Sequence, residues 1–501
     1  MRKYKSTCAV YRRIKVIKKI TFLDIAKDKL KNFSSKSFLE KCDIVSFVLL
    51  FVFFIDCSFA GGGKYLEIGP ISFRMLVAGA ALLFAIPKFV LNIKKYVKNP
   101  IFYMFFAFLI YLIFSAVIGI KAQNNMEVLI SDIKGFMWLF TVPALIITVD
   151  NKERFIGILN AIVIGAFIQA VIVLTVHFVC CIINDGIKYF YQPLIDLQIG
   201  TVSVISDNVF RIFTRSSPYM ILACAIVLFK QLSQDKLKAK YLISIVLFLF
   251  CILLSFTRSL FGCVFIVFAC MFVAVFVFYR DKIKIMIKSF VCVALSTLLL
   301  VCVMEFAFDA SYLNFAISRT LGTPVKQSVV VAVKHKIKNI DWKSIFSSTG
   351  QDFDSLIEDE ENQELEEQQN YINATEGSDN LRAVTKSELK ALIIKSPIIG
   401  NGLGACSQTR NGPDEYFYYD VLARMGIIGL LLYVAPFIYV CIYVLKKKDL
   451  ISVNMGPITL LCGVIGFWAV TWFNPWMNAV LGIAVYSLSC SIVEVFKKFK
   501  N

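Results

Sequence analysis

Histidine is almost missing from this sequence: His177 and His335 are the only two in 501 residues. No Cys-x-x-Cys pair occurs among the fifteen cysteines, so the ligand spacing of a structural zinc site is lacking and no metal is expected. Nearly all the cysteines sit inside apolar runs (Cys57, Cys180, Cys181, Cys224, Cys251, Cys263, Cys270), where they read as small packing residues. Cys406 alone belongs to the long polar segment, which excludes a disulfide within it. No repeat of fixed period and no inverted two-halves pattern is visible, which counts against a transporter. The basic stretch 1–41 has no early apolar core and reads as a tail, not as a cleaved signal peptide. Charge is scarce too: 18% of residues carry it, mostly in short clusters.

What fills the chain is hydrocarbon. Apolar residues make up 58% of it and the mean hydropathy is +0.71, the pattern of an all-α polytopic membrane protein. Apolar runs of roughly 17–25 residues predict about twelve spans, near 44–60, 71–91, 101–120, 135–149, 155–183, 217–232, 241–257, 259–279, 285–304, 418–445, 455–473 and 476–494. The net charge of +18 does not point to nucleic acid, because the cations alternate between loops. Lys94, Lys95 and Lys98, then Lys152 and Arg154, then Lys236, Lys238 and Lys240 mark one side. Arg280, Lys282 and Lys284, then Lys446, Lys447 and Lys448, then Lys497, Lys498 and Lys500 continue it. That side is expected to be cytoplasmic, with both termini on it.

The expected organisation is a basic cytoplasmic tail over 1–43 and spans one to nine over 44–304. A large extracytoplasmic loop over 305–417 separates them from spans ten to twelve over 418–494 and a tail over 495–501. A second outer segment, 184–216, is aromatic at its start and bears Arg211 and Arg215 at its end. Within the large loop, Val325–Ile340 and Asn380–Ile394 look amphipathic. The acidic run between them lacks the glycine and ligand spacing of a calcium loop and reads as a solvated insert. The Asn373 sequon reads as chance, and His335, among lysines, as part of a solvated helix face.

Several charges lie where a membrane makes them expensive. Arg211 and Arg215, four apart before the sixth span, would share a face on a helix, and two guanidiniums suit a phosphate or pyrophosphate. Arg258 stands between two spans, and Lys134 at the start of the fourth, as an interface anchor or a further phosphate contact. Asp56 and Arg74 are placed to form a structural ion pair across a hairpin, and His177 to be packed and hydrogen-bonded. Pro397, Gly400, Gly402 and Gly404 form a turn that leads through Arg410, Asp414 and Glu415 into a helix carrying Gly426 and Gly429. Glycines at such spacing admit close approach of backbone.

RIFTRSSPYM, SFTRSLFG, KSPIIGNGLG and EYFYYDVLARMGIIG, in this order around a large loop between spans nine and ten, carry a resemblance. The chain resembles the O-antigen ligase and O-antigen polymerase superfamily of bacterial membrane glycosyltransferases, over most of 44–494. Counted back from Gly426, Glu415 and Tyr416 occupy the positions of the ligases' His-Asn pair, a departure that favours a polymerase. The resemblance implies an inverting, metal-independent transfer without cofactor at the outer face of the bacterial cytoplasmic membrane. Its donor is a glycan on polyprenyl pyrophosphate, with Arg211, Arg215, Arg258, Lys134 and Arg410 at the pyrophosphate. Glu415, or Asp414 as second choice, is the base on the acceptor. The implied partners are that lipid-linked donor, an acceptor glycan or lipid A core, membrane lipids and a chain-length regulator. The competing readings are a lipid-linked oligosaccharide flippase, which needs no polar outer domain, and a non-catalytic scaffold binding through the large loop.

Overall fold

The computed structural model describes residues 36–62, 67–68, 71–183, 185–206, 209–234, 236–308, 310–321, 380–409, 416–447 and 455–498. Val325–Ile340, His335, the acidic run, Asn373, Arg410, Asp414 and Glu415 lie outside them.

Each of the twelve apolar segments coincides with a helix. They are α1 (Phe38–Phe59), α2 (Phe73–Leu91), α3 (Pro100–Lys121), α4 (Met126–Thr148) and α5 (Lys152–Ile182), followed after a short α6 (Ile187–Asp196) by α7 (Ser217–Leu232). Next come α8 (Ala239–Leu253), α9 (Arg258–Phe278), α10 (Ile283–Phe308) and a short α11 (Tyr312–Leu321). After α12 (380–395) the chain ends with α13 (Phe417–Lys446), α14 (Gly456–Val470) and α15 (Val480–Lys498). Among the described residues, nine helices are long and apolar enough to cross a membrane. The architecture is that of an α-helical multi-pass membrane protein. Helices α7, α8 and α14, of 16, 15 and 15 residues, are only about 22–24 Å long against a hydrocarbon core of about 30 Å.

Local sequence sets the helix starts. Ser37 and Glu40 cap α1 reciprocally, and Asn99 caps α3, with Pro100 in the first turn where its missing N–H is harmless. Asn125 accepts from the N–H groups of Glu127 and Val128, so α4 begins about nine residues before its apolar run at 135. Helix α7 is buried on almost every side, among α5, α8, α9 and α14. It forms the axis of the bundle.

The chain is not purely α-helical. Beside the ladder of β1 (Glu67–Ile68) and β2 (Ile71–Ser72), the segment before α7 forms an antiparallel hairpin of β3 (Gly200–Ser206) and β4 (Val209–Thr214). Arg211 therefore lies on a strand and Arg215 just beyond it, which corrects the expectation of one shared helical face. Helix α10 runs four residues past the expected border at 304, to Phe308, and the amphipathic stretch expected at Asn380–Ile394 is α12.

Contacts sort the helix termini into two ends. The starts of α1 and α5 meet the end of α2 through Asp43, Arg154 and Lys88, while Asn99 before α3 and Lys95 hold Glu494 near the end of α15. The starts of α4, α13 and α15 and the end of α3 gather at the opposite end, with the hairpin, α12 and the turn 396–404.

Candidate functional site

The glycine turn is built from close backbone contact. A Cβ on Gly402 would fall 2.2 Å from the amide nitrogen of Gly119 in α3, and one on Gly119 would fall 2.1 Å from the Leu403 carbonyl oxygen. Gly400 lies as tightly against the Arg424 carbonyl and Gly404 against that of Asn125; both have positive φ. Gly429 approaches Met425 and the Tyr111 ring. Pro397 opens the turn, and its carbonyl accepts from Ile427 at 2.9 Å.

Gly426 explains that last bond. Its φ of +60° and ψ of −169° break α13 in mid-course, which frees helical donors and acceptors. Ile427 and Ile428 then donate to the carbonyls of Pro397 and Ile398, while Gly402 and Asn401 donate to those of Arg424 and Ala423. Tyr111 donates its hydroxyl to the Met425 carbonyl at 2.8 Å. The turn thus replaces the missing turn of helix.

A buried charge network fastens this joint. Arg424 donates from Nη1 to Asp132 at 2.6 Å, pairs through Nη2 with Asp420 at 2.7 Å and donates from Nε to the Ala405 carbonyl at 2.9 Å. The other Asp132 oxygen accepts the Gly404 N–H at 2.9 Å. All three side chains are buried, so each charge depends on the others. Sequence reading missed them. The usable signal was Asp420 and Arg424 four apart inside an apolar helix.

The network anchors both flanks of 410–415, the segment that carries Arg410, Asp414 and Glu415. On its near side Thr409 binds Glu388 of α12 through hydroxyl and N–H, holding that carboxyl below the usual carboxylate range. On its far side Tyr416 and Tyr419 lie under the Lys386 ammonium, 6.0 and 5.3 Å from the ring centres. Tyr418 donates its hydroxyl to the Trp468 carbonyl at 2.7 Å and packs on Trp472 with ring centres 5.1 Å apart.

Two of the expected arginines, Arg211 and Arg258, are carried on elements that meet at another break. Between α8 and α9 the chain turns through 254–257, with Phe256 at φ +44°. Ile212 of the hairpin donates its N–H to the Leu254 carbonyl at 2.8 Å, and Arg211 donates from Nε to the Ser255 carbonyl at 3.1 Å. Arg258 is the first residue of α9. The hairpin thus brings Arg211 to the segment that starts with Ser255 and ends on Arg258. Arg215, which is exposed, reaches Gln198 at 3.4 Å. Asn474, in the connection from α14 to α15, bonds to Ser259 at 3.2 Å. That connection, reached by Tyr418 at its other end, links the start of α13 to the start of α9.

Lys134 stands apart. It is exposed, in the third turn of α4, two residues from Asp132. Asp56 and Arg74 form the expected ion pair, with Arg74 also donating to the Gly61 carbonyl at 2.6 Å. His177 is fully buried and shares a 3.1 Å hydrogen bond with the Tyr312 hydroxyl. Compared with known proteins, the chain matches no family model and has no significant match among curated sequences.

Proposed function

We propose that this protein is a polysaccharide polymerase or ligase of the bacterial cytoplasmic membrane, with polymerase favoured. It transfers a glycan from a polyprenyl-pyrophosphate donor to an acceptor sugar at the outer face. The observation that carries this reading is the meeting of Arg211, from the hairpin, with the Ser255–Arg258 break. Arg211 and Arg258 are carried by separate elements that meet at this break, and two guanidiniums so carried would suit the two phosphates of a pyrophosphate leaving group. In this reading all twelve helices cross the membrane. The end bearing the lysine clusters faces the cytoplasm, and the end bearing the glycine turn faces out.

The acceptor hydroxyl oxygen attacks the anomeric carbon of the donor while the bond from that carbon to the pyrophosphate oxygen breaks. The hydroxyl proton passes to the carboxylate of Glu415, or of Asp414, and the electron pair leaves with the pyrophosphate. Arg211 and Arg258 stabilise that growing charge, with Arg215, Lys134 and Arg410 as further contacts. Direct displacement inverts the anomeric centre. The clamps on both flanks of 410–415 support the role given to Glu415, because a base works only within hydrogen-bond reach of its proton.

A flippase for lipid-linked glycans is the second reading, and the break at Gly426 favours it, because interrupted helices mark the sites of many transporters. Against it, the groups freed at this break are filled by the turn and so are not offered to a ligand. Removing charge at Arg211 and Arg258 separates the two. The transferase reading expects loss of polymer with normal amounts of protein in the membrane and donor accumulating on the outer side. Full activity of both variants contradicts it, and donor held on the cytoplasmic side supports the flippase.

A further inference from the structure

The turn after α12 does not lie across the end of the bundle but runs down the flank of α3. Asn124 donates to the Leu403 carbonyl at 3.0 Å, Leu403 donates to the Ser115 carbonyl at 3.0 Å, and the Tyr111 hydroxyl donates to the Ile399 carbonyl at 3.0 Å. Tyr111 stands ten residues before Lys121, the last residue of α3, which places Ile399 about 15 Å below that end. On α13, Ile428, just past the break at Gly426, donates to the Ile398 carbonyl at 3.2 Å. Both helices are among those long and apolar enough to span a membrane, and half a hydrocarbon core is about 15 Å.

Irregular backbone at that depth is tolerated where protein fills its polar groups. Here the carbonyls of Pro397, Ile398 and Ile399 accept from Ile427, Ile428 and Tyr111, and the Gly400 carbonyl accepts from the Ser396 hydroxyl at 2.8 Å. The exposed apolar face is formed by Ile394 (79%), Ile398 (60%) and Ile399 (40%), and Ile427 and Leu431 of α13 are exposed as well. Lys395 flanks it at the C-terminus of α12, where the helix dipole favours a cation and a four-carbon stem carries the ammonium toward the headgroups.

We infer that 391–404 is a re-entrant element, with the isoleucine face of Ile394, Ile398 and Ile399 immersed in lipid acyl chains. This does not rest on the proposed activity, and it takes the acceptor-side turn out of the aqueous loop assigned to 305–417. Nitroxides placed by Ile398→Cys, Ile399→Cys and Gln408→Cys in full-length protein, reconstituted in liposomes, test it, with the wild-type signal subtracted. At 398 and 399, collisions with dissolved oxygen should exceed those with a water-soluble nickel chelate; exposed Gln408 should show the reverse. Nickel accessibility at 398 and 399 equal to that at 408 overturns the inference. Low accessibility to both reagents overturns it as well, since that marks a covering protein surface.

Discussion

Arg424 of α13 and Asp132 of α4 meet 2.6 Å apart in the interior, although 292 residues separate them in sequence. Through the second Asp132 oxygen the pair also holds the amide of Gly404. One carboxylate therefore fixes α13 and the turn beside it together.

Removing one partner of this pair leaves a charge buried without its counterpart, which destabilises by about 3–5 kcal/mol. Asp132→Asn and Arg424→Gln should each lower the unfolding temperature in detergent markedly. The double variant should lose clearly less than the sum of the two, because Asp132 and Arg424 no longer strand each other and only Asp420 is left without its Arg424 partner. Additive losses would show that the two residues act separately.

The glycines separate into two groups. Gly402→Ala and Gly119→Ala force a methyl onto backbone and should destabilise by about 1–3 kcal/mol, as overpacking does. Gly79 and Gly262 lie in helices with nothing within 4 Å of a Cβ. Alanine there should be neutral or stabilise by up to about 1 kcal/mol. Thermal unfolding of the four variants checks the contrast, and equal losses would refute the close packing of turn and α3.

Much of this fold was legible. Long apolar runs fixed where the twelve helices lie, and the spacing of Asp56 and Arg74 across one hairpin revealed their pairing. The joint at Gly426 was not legible, because Gly-Ile-Ile-Gly reads equally well as a helix with small residues, and the groups that fill the break come from Tyr111 and from 397–402, outside the helix. The strand at Arg211 was misread as helix from the spacing of two arginines. Alternation in TVSVIS and VFRIFT, a period of two, was the better signal. The glycine turn was legible only as a motif, since Asp132, which holds it, lies far from it in sequence.

The hairpin also ranks the arginines. Arg211 is tied to the Ser255 carbonyl beside Arg258, whereas Arg215 turns toward Gln198. Arg211→Ala should therefore reduce polymer yield far more than Arg215→Ala, at equal protein levels. Arg211→Lys should recover part of it, keeping the charge but losing the planar fork. A larger loss at Arg215 would move the pyrophosphate away from the 254–257 break.

The most direct measurement is the surface polysaccharide and lipid-linked saccharide of cells lacking this gene, complemented with wild type or Glu415→Gln and separated on gels. Polymerase activity with Glu415 as base requires that Glu415→Gln, like the empty vector, abolish the long ladder while single repeat units still reach their final anchor. Accumulation of full-length lipid-linked polymer would make the protein a ligase. A ladder unchanged even with the empty vector, or precursor trapped on the cytoplasmic side, would contradict glycosyl transfer by this chain, whereas a ladder unchanged with Glu415→Gln alone would pass the role of base to Asp414.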